Sequence, residues 1–336
     1  MNRRESRESP LLWLPKVKEL VMPMRPTIGY GGFFKLEAVK PDGRIRPLTD
    51  WFPNIITNTG FDTLGSTGGP WGGVAVGSGN STPVVTQTAL DAIIASTSNF
   101  FSNASSIQGS SPYYGTTTQT WQFPVGAAAG NLSEVGVYAS SPTALFSRAL
   151  ILDGGGSPTT ITVLSNEALN VTYSLRMYAP TVDVTGNITM DQTYAYVIRA
   201  ANVTNSGAWT TDSGHYSALM LPDIFGNSGS GVTAFNGAIG AITGQPSGTN
   251  TGGSQVNNAA YTTGSYQRSA VPGFDINHGN LSGGIGAIML QYGNSNGGGF
   301  YVTGRGCFQI GFTPNIPKDN TKVLTLNVTL AWTRAP

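Results

Sequence analysis

The run Gly32-Phe33-Phe34-Lys35-Leu36-Glu37-Ala38-Val39 alternates apolar and polar residues, and short runs of the same period recur along the chain. A period of two marks a strand with one buried face; wound as a helix it would scatter the apolar side chains around the axis. Gln119–Phe123, Val135–Tyr138, Ala144–Ile151, Ile161–Leu164 and Leu169–Leu175 continue the series, followed by Thr193–Ile198, Phe308–Phe312 and Val323–Leu330. These runs are rich in Val, Ile, Thr and aromatic residues, and Gly, Ser, Asn and Pro separate them. Such spacing predicts a mainly β chain of antiparallel β-sandwich domains, jelly-roll-like in arrangement. Pro41-Asp42-Gly43, ahead of Arg44-Ile45-Arg46, predicts a hairpin turn. One short helix is expected over Thr86–Ile94, capped by Thr86 or Thr88, with Leu90, Ile93 and Ile94 laid on the sheet.

Three segments are expected. Residues 1–30 form an extended N-terminal arm, 31–180 a β-sandwich assembly domain, and 181–336 a second β-rich domain with long Gly/Ser/Asn loops. The boundary near Pro180 rests on an internal echo. Leu169-Asn170-Val171-Thr172 recurs as Leu326-Asn327-Val328-Thr329, and each is followed by an Arg and then Ala-Pro. In the second half, Ile224 through Gln267 contains no charged residue. A neutral stretch of that length gives strand edges little protection against association, and partner chains in an assembly would remove the hazard.

Charge is scarce throughout. Only 10% of the residues are charged, against a typical ~25%, and the net charge of +1 steers neither nucleic acid nor an anionic membrane toward the chain. The basic residues Arg3, Arg4, Arg7, Lys16, Lys18 and Arg25 outnumber Glu5, Glu8 and Glu19 in the arm, which therefore carries a local excess of +3. Arg3, Arg4, Arg7, Trp13, Lys16 and Lys18 are the expected assembly contacts. Leu11-Leu12-Trp13-Leu14 is too short for the apolar region of a secretory signal. No run approaches the ~20 continuous apolar residues of a membrane helix, so no membrane insertion is expected. Cys307 is the single cysteine, which leaves no intramolecular disulfide and no cysteine-based zinc site.

Chemical motifs are tested easily against so sparse a set of functional groups. Val74–Ile94 places Gly77-Ser78-Gly79-Asn80 behind an apolar run, where a phosphate loop would sit. A phosphate loop needs a lysine, and none lies between Lys40 and Lys318; Thr82 stands where G-x-G-x-x-G needs its third glycine. No nucleotide or other cofactor is expected. His215 and His278 are the two histidines, and neither has a G-x-S-x-G serine to serve. Asp212, Asp223 and Asp275 are carboxylates of the kind glycosidases use in pairs, but spacing pairs none of them. No metal site is expected either. Glycan contact is open to Trp209, Tyr216, Tyr261, Tyr266 and Tyr292, with Tyr301 nearby, because such rings stack on sugar faces. For any single ring, core packing is the stronger reading.

A series of short motifs adds a family resemblance. Asn54-Ile55-Ile56-Thr57-Asn58-Thr59-Gly60 is followed by Val76-Gly77-Ser78-Gly79-Asn80, Thr82-Pro83 and Thr88-Ala89-Leu90. Then come Thr120-Trp121-Gln122-Phe123-Pro124, Asn131-Leu132-Ser133-Glu134-Val135-Gly136-Val137, Leu145-Phe146-Ser147-Arg148-Ala149 and Val163-Leu164-Ser165-Asn166-Glu167. In this order the motifs resemble structural proteins of tailed bacteriophages, of tail, tail-fibre or tail-collar type. The likeness covers residues 30–180 and the ending from Gly311 to Leu330. It implies a virion component without catalytic residues, made in the bacterial cytoplasm and repeated by symmetry. Its partners would be copies of itself, other tail or neck proteins reached through the arm, and host-surface glycan. A glycan-binding receptor-recognition protein or depolymerase, and a capsid decoration protein, are the alternatives.

Overall fold

A computed structural model describes residues 24–66, 71–209, 231–291 and 306–335. The chain is mainly β, with 51% of residues in strands and 4% in helix, and its several antiparallel sheets are β-sandwich-like. In chain order, β1 (Thr27–Val39), β2 (Ile45–Pro47), β3 (Phe52–Pro53) and β4 (Ile55–Ile56) lead into helix α1 (Asn58–Ser66). Next come β5 (Gly73–Gly77), β6 (Ile93–Thr97), β7 (Phe100–Gln108) and β8 (Tyr114–Phe123). They are followed by β9 (Gly130–Leu132), β10 (Glu134–Tyr138), β11 (Leu145–Leu150), β12 (Ile161–Val163) and β13 (Ala168–Tyr178). Beyond Pro180 lie β14 (Val184–Thr189), β15 (Thr193–Ala200), the single turn α2 (Ser206–Trp209), β16 (Val232–Phe235), β17 (Asn250–Gly252) and β18 (Gln255–Asn258). The last five are β19 (Gln267–Phe274), β20 (Ile285–Gln291), β21 (Gly306–Ile316), β22 (Leu324–Thr325) and β23 (Val328–Arg334).

The backbone of the fold is a ten-stranded sheet whose main order is β18-β19-β23-β1-β13-β8-β7. It takes strands from both sides of Pro180. The two copies of the echo flank β1: β13 runs antiparallel to it and β23 parallel. Their arginines have parallel uses, since Arg176 lies 4.0 Å from the Phe33 ring centroid and Arg334 4.5 Å from that of Phe61. β1 starts at Thr27, inside the stretch read as an arm, and Met24 already bridges Val328. The expected hairpin forms, with Val39 opposite Ile45 and Gly43 at φ +80°. A six-stranded sheet, β14-β15-β21-β20-β16-β17, occupies the second half.

A five-stranded sheet, β4-β11-β10-β5-β6, packs on the large one. Val74, Val76, Val135, Val137, Phe146 and Ala149 point into the main core with Phe34, Trp121, Val171 and Tyr173, and Phe146 meets Tyr173 edge to face at 6.4 Å. Its other face is not left to water: β5, β10 and almost all of β11 are buried on both sides. The segment 78–92 covers that outer face, and Leu90 joins Ala75, Tyr138 and Leu145 in a small second core.

The helix expected over Thr86–Ile94 does not form. That segment consists of turns until β6 begins at Ile93, and Ile93 and Ile94 are exposed on an edge strand. Leu90 alone packs as foreseen. The helix is α1 instead, at Asn58-Thr59-Gly60, which reads as a turn because Asn, Thr and Gly are poor helix interiors. Two local features override that propensity. Thr57 caps the first turn, its Oγ1 accepting from Gly60 N at 2.9 Å. Gly60 lets the helix touch β11: a Cβ there would stand 2.2 Å from the Phe146 carbonyl oxygen. Gly65 plays the same part against Tyr261 and Trp332. Gly60→Ala is therefore expected to lower stability by about 1–3 kcal/mol through overpacking. Thr57→Ala should lower it by about 1 kcal/mol through the lost cap, both read from the midpoint of urea unfolding.

Candidate functional site

Among the described residues, a buried cluster of charge sits on the outer face of the five-stranded sheet. Glu134 on β10 and Arg148 on β11 are on neighbouring strands, and both side chains are 0% exposed. Arg148 reaches Glu134 through Nε at 3.0 Å and Nη2 at 2.9 Å. It also donates to Asp91 Oδ2 at 2.6 Å and to Ser81 Oγ at 3.1 Å. The Glu134 carboxylate is then filled by backbone donors. Oε1 accepts from Gly79 N at 2.9 Å and Ala92 N at 2.8 Å, and Oε2 accepts from Asp91 N at 3.1 Å. Ser133 adds a bond from its hydroxyl to the Gly79 carbonyl.

This arrangement accounts for the glycines that looked like a phosphate loop. Converging backbone N–H groups form an anion cradle, and the anion in it is the chain's own carboxylate. A Cβ at Gly79 would lie 2.4 Å from Glu134 Oε1, and one at Gly77 would lie 2.4 Å from the Ala92 carbonyl oxygen. Only glycine allows the backbone this close. Hydrogen bonds from Ser81, reinforced by the Arg148 guanidinium, hold Asp91 below the usual carboxylate range.

The rings proposed for glycan contact have other surroundings. Trp209 is 1% exposed, donates from Nε1 to the Ala201 carbonyl at 2.8 Å and packs edge to face on Phe308; its buried faces cannot stack on a sugar, which corrects that expectation. Tyr261 donates its hydroxyl to Asp62 at 2.6 Å and stacks on Trp332, while Tyr266 packs edge to face on Phe61. Burial, and next the Asp62 carboxylate, push the Tyr261 hydroxyl far above the usual phenol range. Both rings are half-buried and brace α1 against the last strand. Tyr216, Tyr292 and Tyr301 lie outside the described residues, as do Asp212, His215 and Asp223, and the arm residues Arg3, Arg4, Arg7, Trp13, Lys16 and Lys18. His278 Nδ1 is 2.7 Å from Asp275 Oδ1 in a turn, and this contact keeps the Asp275 carboxyl low. Among the described residues no three His, Cys, Asp or Glu side chains gather as a metal site.

An open cleft of roughly 700 Å³ lies between the halves, lined by Ser111, Tyr113, Thr181, Val182, Asp183, Arg199 and Ile242. Arg199 grips Asp183 with two bonds of 2.9 and 2.6 Å and also donates to the Gly240 carbonyl. Sequence reasoning passed over Glu134, Arg148 and Arg199 as chemistry. A signal was present: in a chain this poor in charge, Arg148 lies inside the apolar run Ala144–Ile151, and Glu134 stands directly ahead of the apolar run Val135–Tyr138.

Comparison with protein-family models, curated proteins and solved structures gives no significant match.

Breaking a buried ion pair leaves an uncompensated charge, so Glu134→Gln or Arg148→Met should each cost about 3–5 kcal/mol. The double variant should cost less than the two together, as a double-mutant cycle of unfolding energies would measure. The Asp91 carboxyl is lower in the folded than in the unfolded chain, so its contribution is complete above the usual aspartate range and fades as pH falls through the folded value. Asp91→Asn is thus expected to unfold with a flatter acid limb than the wild type in a pH series of thermal melts.

Proposed function

We propose that the chain is a structural subunit of a bacteriophage virion, a tail, neck-collar or tail-fibre component acting in assembly and host attachment. The observation that carries this reading is the common destination of the motifs behind the resemblance. Val76–Asn80, Asn131–Val137 and Leu145–Ala149 lie far apart in the chain, yet they supply Gly79, Ser133, Glu134 and Arg148 to one buried network. Their charges and glycines fasten a covering segment to a sheet, which is a framework role. A scaffold braced this way by its own ion pairs needs no disulfide and suits a particle assembled in a reducing cytoplasm.

On this reading the basic leading segment joins the subunit to neighbouring tail or neck proteins. Because Met24 and the strand from Thr27 belong to the core, a truncation that tests the idea must stop at Pro23. The chain lacking residues 1–23 is expected to fold with an unchanged melting midpoint and to be missing from purified particles. Electron microscopy of particles carrying a labelled full-length chain should place the label on the tail or neck. Label on the head would favour a decoration protein instead, and normal incorporation of the truncated chain would sink the role given to the arm.

A further inference from the structure

The two packed sheets end together on one flank. β7 is the last strand of the ten-stranded sheet and β6 the last of the five-stranded one, and only Ser98-Asn99 separate them in sequence. β7 is nine residues long and exposed on both faces from Phe100 to Ser106, with β8 as its single strand neighbour among the described residues. The other terminal strands of these two sheets are short, four residues for β18 and two for β4. Ile93, Ile94, Phe100 and Phe101 are 41–54% exposed here. Edge strands are normally blunted by lysine, proline or an inward charge. None of these interrupts β6 or β7, and no charged residue occurs between Asp91 and Glu134. A bulge between Phe100 and Ser102 is the one protecting device.

We propose that this flank is a contact between two copies of the chain, with β7 of each paired antiparallel about a two-fold axis so that the large sheet runs on through both. The absence of charge argues for the second copy. Residues 92–133 offer no charge for a charged partner to match, whereas the open edge of a strand is its own complement under a two-fold. Centring the axis on Ala104 sets Phe101 opposite Ile107 of the other copy, an aromatic with a β-branched residue. The same axis, perpendicular to the sheets, brings β6 beside its equivalent and covers Ile93 and Ile94. This deepens the assembly reading by naming its surface, yet the two fail separately: a monomer in solution leaves the location in the particle unaffected.

Light scattering on the full chain after size exclusion is expected to give twice the 35.1 kDa chain mass. Phe101→Lys combined with Ser105→Lys should return it to one chain mass, with a wild-type far-ultraviolet circular dichroism spectrum and an unfolding midpoint that no longer rises with chain concentration. Ala104→Cys should form a disulfide-linked dimer under mild oxidation, with Thr185→Cys on the far edge β14 as the control; Cys307 is buried. A monomeric wild type overturns the proposal, and a chain that dimerises only after loss of residues 1–23 also does, because its own leading segment would then hold the edge. A dimer indifferent to the lysines, or Ala104→Cys crosslinking no faster than the control, places the contact elsewhere and overturns it as well.

Discussion

A carboxylate taken out of water loses several kcal/mol of solvation, and the fold must supply partners that replace the lost interactions. Glu134 meets that condition with Arg148 and three backbone N–H groups. The three donors come from the two ends of the segment 78–92, so neutralising one side chain fixes both ends of a covering strap. With the strap in place, β5 and β10 are buried on both faces and the five-stranded sheet becomes the middle layer of the first half. The large sheet and α1 then have a rigid surface to pack against, through Phe146 on one side and its carbonyl oxygen on the other.

The same geometry explains why a glycine-rich turn after an apolar strand can suggest a nucleotide. Close-packed N–H groups are needed wherever an anion must be held by backbone. Whether the anion is a ligand's phosphate or a side chain depends on what a distant strand delivers, here Glu134 from β10. Gly77 and Gly79 therefore report the presence of an anion and not its identity.

Much of the strand content was legible because one-sided burial imposes a period of two, as in Gly32–Val39 and Leu169–Leu175, which pair as Leu36 opposite Val171 and Ala38 opposite Leu169. The helix was misplaced because its determinants are not local: Gly60 is tolerated for its contact with the Phe146 carbonyl, a residue far along the chain. Thr86–Ile94, in turn, has helical spacing of apolar residues but is held by Glu134 and Arg148 in another shape. The ion network had a signal in two charges, Arg148 inside an apolar run and Glu134 at the start of one. Its pairing depends on the register of β10 against β11, where Glu134 faces Leu150 and Gly136 faces Arg148. The aromatic residues of the second half divide by burial, which composition does not reveal, so Trp209 is a core ring and Tyr261 a brace.

The parallel pairing of β1 with β23 sets Thr27 beside Ala331. During synthesis β1 leaves the ribosome early, while the strand that closes its second edge emerges some three hundred residues later. At the ~5–20 residues per second of translation, β1 waits on the order of tens of seconds for that neighbour. Until then its Ile28 and Tyr30, fully buried in the finished fold, lack one wall of their pocket. A chain stopped before β23 would therefore keep an unpaired edge in the middle of its largest sheet, where a finished chain has none.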